Sequence, residues 1–390
     1  MGNCISCRVS DGSKKQSVPE ILPARPDSKE NNSVEISRDG TSGGDTDFLN
    51  NTIKSGKTED TLERASFTTL NGPVRPNSGR QKKLSICSTY SGRGQLEVPH
   101  GIPEDNILTI FDFYNILNDG SLNPYIHEEG NVLVVDCRDI EAYSKMHVIT
   151  AKHQDEVKDA AFQAGLGYSM FNLVIIYGTN LRYDRSKVLQ TFWNEVSESF
   201  AGEVLLLLEG FASFEEQFPF MCREEPIRNV WERRRIITYP SVVINSKLYQ
   251  GNGEQAKNKR ILDDLKIKHI VNITKEHQNK FEGEVSYLRI AIEDEKGSDL
   301  SKYFENACEF IEKALKKKSA VFVHCNLGVS RSSTIVLAYL MKSQTLSLAN
   351  AYTFLKSRRS CIRPNIGFLT QLSEWEFSIL GKKVTDVYNL

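Results

Sequence analysis

Apolar residues along the chain fall into short runs divided by polar turns, and the spacing of those runs predicts an α/β protein from about residue 107 onward. The runs 132–135, 173–177 and 204–208 are apolar and of strand length, and read as strands. Helical stretches such as 112–117, with Asp112 as its N-cap, and 185–197 alternate with them, so the sheet they form is expected to be parallel. Further on, 241–244 and 248–251 read as a hairpin, 258–265 as a helix, and 269–273 and 287–292 as strands. Phe304, Ala307, Cys308, Ile311 and Leu315 recur at helical spacing and place one apolar face on a helix over 300–317, with Cys308 in the core. The run 320–323 predicts a buried strand, a turn containing Gly328 follows, and 332–341 is an apolar segment free of Pro and Gly that predicts a buried helix. Helices over 347–358 and 366–380 complete the pattern.

The first hundred residues lack this pattern. From about 10 to 103 the chain is rich in Ser, Thr, Asn, Asp, Gly and Lys, too poor in apolar surface to offset its ordering entropy, so a disordered tail over 1–104 is expected. It opens on Met-Gly-Asn-Cys-Ile-Ser, the pattern for myristoylation at Gly2, with Cys4 and Cys7 placed for palmitoylation. Two lipid signals give stable anchoring where one does not, so membrane association through an acylated N-terminus is the expectation. A net charge of −1 over 390 residues argues against nucleic acid as a partner. No apolar run reaches the length of a membrane span, and the eight cysteines show no metal-ligand spacing, so a cytoplasmic protein without metal or cofactor is expected.

Chemistry concentrates between the strand at 320–323 and the helix at 332–341. Such a junction aims successive backbone N–H groups and a helix N-terminus into one concavity, a ready site for phosphate. Cys325 stands at its mouth, where amides and the helix dipole favour thiolate over thiol. Asn326, Leu327, Gly328, Val329 and Ser330 form the loop, and Gly328 permits a tight turn. Arg331 supplies a planar fork for two phosphate oxygens, Ser332 a hydroxyl for the sulfur, and His324 a hydrogen bond to steady the loop. Each part serves attack by sulfur on phosphorus. The leaving oxygen then needs an acid from a loop facing this bowl, and Glu293, Asp294, Glu295 and Asp299 all follow the strand that ends near 292.

His324-Cys325-x-x-Gly328-x-Ser330-Arg331-Ser332 resembles the active-site signature of the cysteine-dependent dual-specificity protein phosphatases. That resemblance covers about 238–385 and implies catalytic roles for Cys325, Arg331 and Asp294, the last lying 31 residues before the cysteine. It leaves Asp299 to cap the next helix and makes Asn365 a support of the loop, beside its own reading as a helix N-cap. Residues 106–222 resemble a rhodanese-like, three-layer domain through Asp136-x-Arg138, the 147–151 turn and Gly210-Phe211. The loop after the 173–177 strand, 178–185, holds no cysteine, so this domain is expected to be catalytically silent. Cys137 reads as structural. Residues 223–237, with Arg233, Arg234 and Arg235 in a row, read as a solvated linker.

The pairing of the two domains, with strings such as 264–268 and 371–376, resembles the serine/threonine/tyrosine-interacting-like group, whose mammalian member lacks the His and Cys of its loop. Here His324 and Cys325 are both present, and an active phosphatase with phosphoprotein substrates is expected. Neutral Asn326, Leu327 and Val329 favour protein over inositide substrates, and MAP kinases follow from the resemblance alone. The stretch 152–158 has no arginine run, so kinase docking by that route is not implied. The alternative is a scaffold of the pseudophosphatase kind that binds phosphoproteins with little turnover.

Overall fold

Two five-stranded sheets organise the described residues. The computed structural model describes residues 102–120, 124–159, 162–163, 167–179 and 188–390. Gly2, Cys4, Cys7 and most of the 178–185 loop lie outside these residues. All the described residues fall within one compact unit.

The first sheet is wholly parallel, in the order β1 (Ile107–Leu108), β6 (Glu203–Leu207), β5 (Leu173–Tyr177), β2 (Val132–Asp136), β4 (Ala151–His153). A short antiparallel pair, β3 (His147–Val148) with β7 (Cys222–Arg223), stands beside it. Strand residues alternate between two cores. Val134, Ile175 and Leu205 pack towards helices α1 (Ile110–Leu117) and α5 (Gly210–Gln217). Leu133, Val174 and Leu206 pack with Val157, Phe192 and Val196, on α3 (Gln154–Lys158) and α4 (Val188–Ser199). Helices on both faces make this a three-layer α/β arrangement, and both faces of the strands are buried. Asp136 and Arg138 form a buried 2.6 Å ion pair, the guanidinium lies 3.7 Å over the Phe211 ring, and Tyr177 donates to Asp136. Helix α2 (Ile140–Lys145) follows this knot, capped by Asp139. Burial and the Asp136 charge push the Cys137 thiol upward, in keeping with a structural cysteine.

Two expectations change here. Thr109, not Asp112, caps α1: its Oγ1 accepts from Asp112 N–H while the Asp112 carboxylate turns back to Thr109, a capping box that puts Asp112 at the third helical position. The stretch 223–237 is mostly exposed, but its three consecutive arginines do not all face solvent. It holds helix α6 (Val230–Arg233), and Arg233 is buried, donating to the Ile126 carbonyl; Arg234 and Arg235 stay exposed.

The second sheet runs β11 (Ser286–Arg289), β10 (Ile267–Asn272), β12 (Ala320–His324), β9 (Leu248–Gly251), β8 (Ser241–Ile244), parallel except for the β8–β9 hairpin. Helices α7 (Gly253–Ala256) and α8 (Lys259–Asp264) follow the hairpin. Helix α9 (Phe304–Lys316) buries Phe304, Ala307, Cys308 and Ile311, and burial pushes the Cys308 thiol up to about 12. Central to this half is α10 (Arg331–Gln344), buried along most of its length, with α11 (Leu348–Arg358) and α12 (Ile366–Leu380) packed around it. Strand β11 ends at Arg289, short of the expected 292, so Ile290 and Ile292 reach the core from irregular backbone. Asp299 does not cap α9: it lies before the short turn Ser301–Tyr303, whose N-cap is Leu300, and accepts the Ser301 N–H at 3.1 Å. No helix among the described residues is long and apolar enough to cross a membrane.

Candidate active site

The site lies where β12 meets α10. His324 closes the strand and is buried; its Nδ1 donates to the Cys325 carbonyl at 3.2 Å. Burial without a charged partner depresses His324 to about 4, so a neutral imidazole stands behind the loop. Cys325 is 1% exposed, and its sulfur accepts the Gly328 N–H at 3.2 Å and lies 3.3 Å from Ser332 Oγ.

The loop between them is held from outside. Gly328 takes φ +73°, and a Cβ there would stand 2.5 Å from the Gly251 carbonyl oxygen, so glycine is required on two counts. Its own carbonyl accepts from Arg359 Nε at 2.8 Å and Gln250 Nε2 at 3.3 Å. The Asn326 carbonyl accepts the Gly253 N–H, and its side-chain Oδ1 lies 2.9 Å from His277 Nε2. The Val329 carbonyl accepts the Arg363 N–H. Leu327, 56% exposed, forms the tip.

Arg331 begins α10 and is buried, with two edges of its guanidinium in different surroundings. Nη1 donates to the Ile292 carbonyl at 2.9 Å, and Nη1 with Nη2 engages the Glu276 carboxylate at 3.2–3.4 Å. That Arg331 contact holds the Glu276 carboxyl below its usual range against the opposing effect of burial. Nε is buried without a hydrogen-bond partner among the described residues, 3.6 Å from Asp294 Oδ2. Clamping one edge leaves the other for an anion's oxygens.

Of the four acids after β11, only Asp294 turns to this loop. Its Oδ1 accepts from Ser330 Oγ at 2.6 Å and Asn365 Nδ2 at 2.9 Å. Glu293 pairs with Lys275, Glu295 is exposed, and Asp299 accepts from Ser301. The acid-bearing segment is seated by α12: a Cβ on Gly367 would fall 2.1 Å from the Lys296 carbonyl oxygen, and Gln371 bonds Ser298, Leu300 and Ser301. Asn365 caps α12, its Oδ1 accepting the Phe368 N–H, and its backbone N–H donates to Ser330 Oγ at 3.2 Å.

The structure thus brings together His324, Cys325, the 326–330 loop, Arg331, Ser332, Asp294 and Asn365. Glu276, Gln250 and Arg359 were missed. Each reaches the loop from a distant segment, and only pairing of strands would have revealed it. No cluster of His, Cys, Asp and Glu among the described residues is placed to hold a metal.

Residues 248–378 match the family model for the dual specificity phosphatase catalytic domain. A Dictyostelium discoideum protein, "Probable rhodanese domain-containing dual specificity protein phosphatase", is 36% identical over 176 residues, covering 45% of this chain and 37% of that protein. Human dual specificity protein phosphatase 1 is 41% identical over 134 residues, covering 34% of this chain and 36% of its own. The chain therefore spans little more than a third of the length of these relatives. The crystal structure of human DUSP28 is similar at 30% identity and a TM-score of 0.35, covering 36% of this chain and 98% of that one. The match to the dual specificity phosphatase catalytic domain spans about a third of the chain, residues 248–378, and the Cys325 loop lies inside it.

Proposed function

We propose that the protein hydrolyses phosphotyrosine and phosphoserine or phosphothreonine in proteins through a cysteinyl-phosphate intermediate. The observation that carries this reading is the Cys325 sulfur, which accepts a loop amide and lies beside the Ser332 hydroxyl, with the buried Arg331 guanidinium at the end of the same loop, its Nε without a hydrogen bond and 3.6 Å from Asp294 Oδ2. In the first step the Cys325 thiolate attacks phosphorus, the S–P bond forms and the P–O bond to the substrate breaks. Asp294 gives its proton to the departing oxygen. In the second step Asp294 takes a proton from water, which attacks phosphorus and releases Cys325 as thiolate and inorganic phosphate. Arg331 and the 326–331 amides stabilise the equatorial oxygens in both steps, and preorganised donors of this kind usually supply the largest share of rate enhancement. Ser332 donates to the sulfur as it leaves.

The first sheet and its helices are read as a rhodanese-like domain, on the Asp136–Arg138–Phe211 knot and the name of the Dictyostelium relative. With no cysteine in 178–185 it has no persulfide carrier, and we assign it no chemistry. Protein substrates are favoured by the neutral Asn326, Leu327 and Val329, and MAP kinases by the likeness to phosphatases 1 and 7. The likeness to the serine/threonine/tyrosine-interacting-like group does not extend to its missing nucleophile, since Cys325 is present. Acylation at Gly2, with Cys4 and Cys7, would add a membrane-bound setting.

The test is turnover of an aryl phosphate by the full chain beside Cys325→Ser and Asp294→Ala. Loss of turnover in both variants, with inorganic phosphate released by the parent, is the expected result. A parent as slow as Cys325→Ser overturns the reading in favour of a phosphoprotein-binding scaffold.

A further inference from the structure

Strand β8 ends the second sheet, and its outer edge would expose unpaired backbone groups. Helix α1, from the first domain, covers it. The buried Asn115 side chain acts as a strand partner for Val242: Nδ2 donates to the Val242 carbonyl at 2.9 Å and Oδ1 accepts the Val242 N–H at 2.8 Å. Tyr114 donates to the Pro240 carbonyl at 3.1 Å, and Asn118 accepts the Tyr239 N–H at 2.7 Å.

The same helix grips a second element. Asp112 pairs with Arg358 at the end of α11, and Ser360 donates at 2.8 Å to Asp119, two residues beyond the end of α1. Between these anchored residues Arg359 turns inward and is 4% exposed. Its Nη1 donates to Ser241 on β8 at 3.1 Å, and its Nε to the Gly328 carbonyl at 2.8 Å. Both supports of Arg359, the strand carrying Ser241 and the turn after α11, are therefore held by α1.

The Gly328 carbonyl matters because a trans peptide is planar, with C=O and the next N–H pointing opposite ways. Drawing that carbonyl outward to Arg359 turns the Val329 N–H inward, towards the bowl that Cys325 faces. We propose that helix α1 is a positioning element of the phosphate loop, acting through Asp112 and Asn115 on Arg359 and through Arg359 on the 328–329 peptide. None of these residues touches a reacting atom. The inference rests on the reading of Cys325 as nucleophile, and its test separates the two.

The full chain is compared with Asn115→Ala, Arg358→Ala and Arg358→Lys at a temperature well below each melting transition. Turnover of an aryl phosphate gives kcat and KM, and the rate of Cys325 alkylation by iodoacetate against pH gives the thiolate midpoint. The charged and titratable groups around the loop, Glu276, His277, Asp294, His324, Arg331 and Arg359, are unchanged in all three. Arg358→Ala and Asn115→Ala are expected to lower kcat about three- to tenfold, with KM within about twofold. The alkylation midpoint should rise by about half a pH unit as an inward amide is lost, and Arg358→Lys should stay near the parent. A lowered melting temperature with kcat and midpoint unmoved would overturn the proposal and leave α1 as cover for an edge strand. Should the parent not turn over, a shifted midpoint still supports the positioning role, and an unshifted one still removes it.

Discussion

Ser330 Oγ donates a 2.6 Å hydrogen bond to Asp294 Oδ1, tying the acid-bearing segment to the loop that carries Cys325. Asn365 Nδ2 bonds the same oxygen at 2.9 Å and its backbone N–H donates to Ser330 Oγ at 3.2 Å, closing a triangle of three segments. In this arrangement one hydroxyl ties Asp294, the proposed proton donor, to Asn365 and to the loop. Substituting Asp294→Ala should lower kcat by about a hundredfold for a phosphotyrosine peptide, whose leaving group needs a proton. The loss should be far smaller for an aryl phosphate with an acidic leaving group. Steady-state kinetics on both substrates checks this, and equal losses would remove Asp294 from the acid role.

Glu276 holds Nη1 and Nη2 of Arg331, while Nε, without a hydrogen bond, lies 3.6 Å from Asp294 Oδ2. Glu276→Ala should cost about tenfold in kcat/KM by freeing a buried guanidinium from its fixed plane, whereas Glu276→Gln, which keeps an acceptor, should lose less. Vanadate inhibition measured beside kinetics checks the cause. Affinity for the anion should fall with kcat/KM if Arg331 has been displaced, and should rise if Glu276 merely competes for it.

His324 sets a pH dependence of stability. Burial lowers it from 6.5 to about 4, so the folded protein keeps it neutral while the unfolded chain protonates it below 6.5. Between those values the unfolded state binds more protons, and stability therefore falls as pH drops through this window, by up to about 3 kcal/mol at the acid end. Above 6.5 the contribution is flat. Urea unfolding across the window should show this slope, and His324→Asn, which keeps a donor for the Cys325 carbonyl, should flatten it. An unchanged slope in the variant would assign the effect to other groups.

Much of this could be read from the residues because it is local. The apolar run before Cys325, the turn at Gly328 and the helix after Arg331 are consecutive in the chain, and consecutive residues declare a strand, a nest and a helix directly. Asp294 was separable from Glu293, Glu295 and Asp299 only by family position, because strand alternation stops before the loop they share. The side chains themselves separate them: Glu293 goes to Lys275 and Asp299 to Ser301. Thr109 and Asp112 show the limit of cap signals, since both residue types suit an N-cap and the register of α1 decides between them. Glu276 on Arg331, Arg359 on Gly328 and Asn115 on Val242 have no local signature, as each joins segments 31 to 127 residues apart. Such contacts follow from how strands order in the sheet and how helices cover it.

The claim on which the rest depends is a bond between the Cys325 sulfur and phosphorus. Turnover of a phosphotyrosine peptide by the full chain, quenched in acid and followed by mass spectrometry of the peptide containing Cys325, measures it directly. The account predicts a fraction of that peptide heavier by one phosphoryl group, released by alkali and absent in Cys325→Ser. Turnover with phosphate release and no phosphorylated Cys325 at any quench time would contradict it.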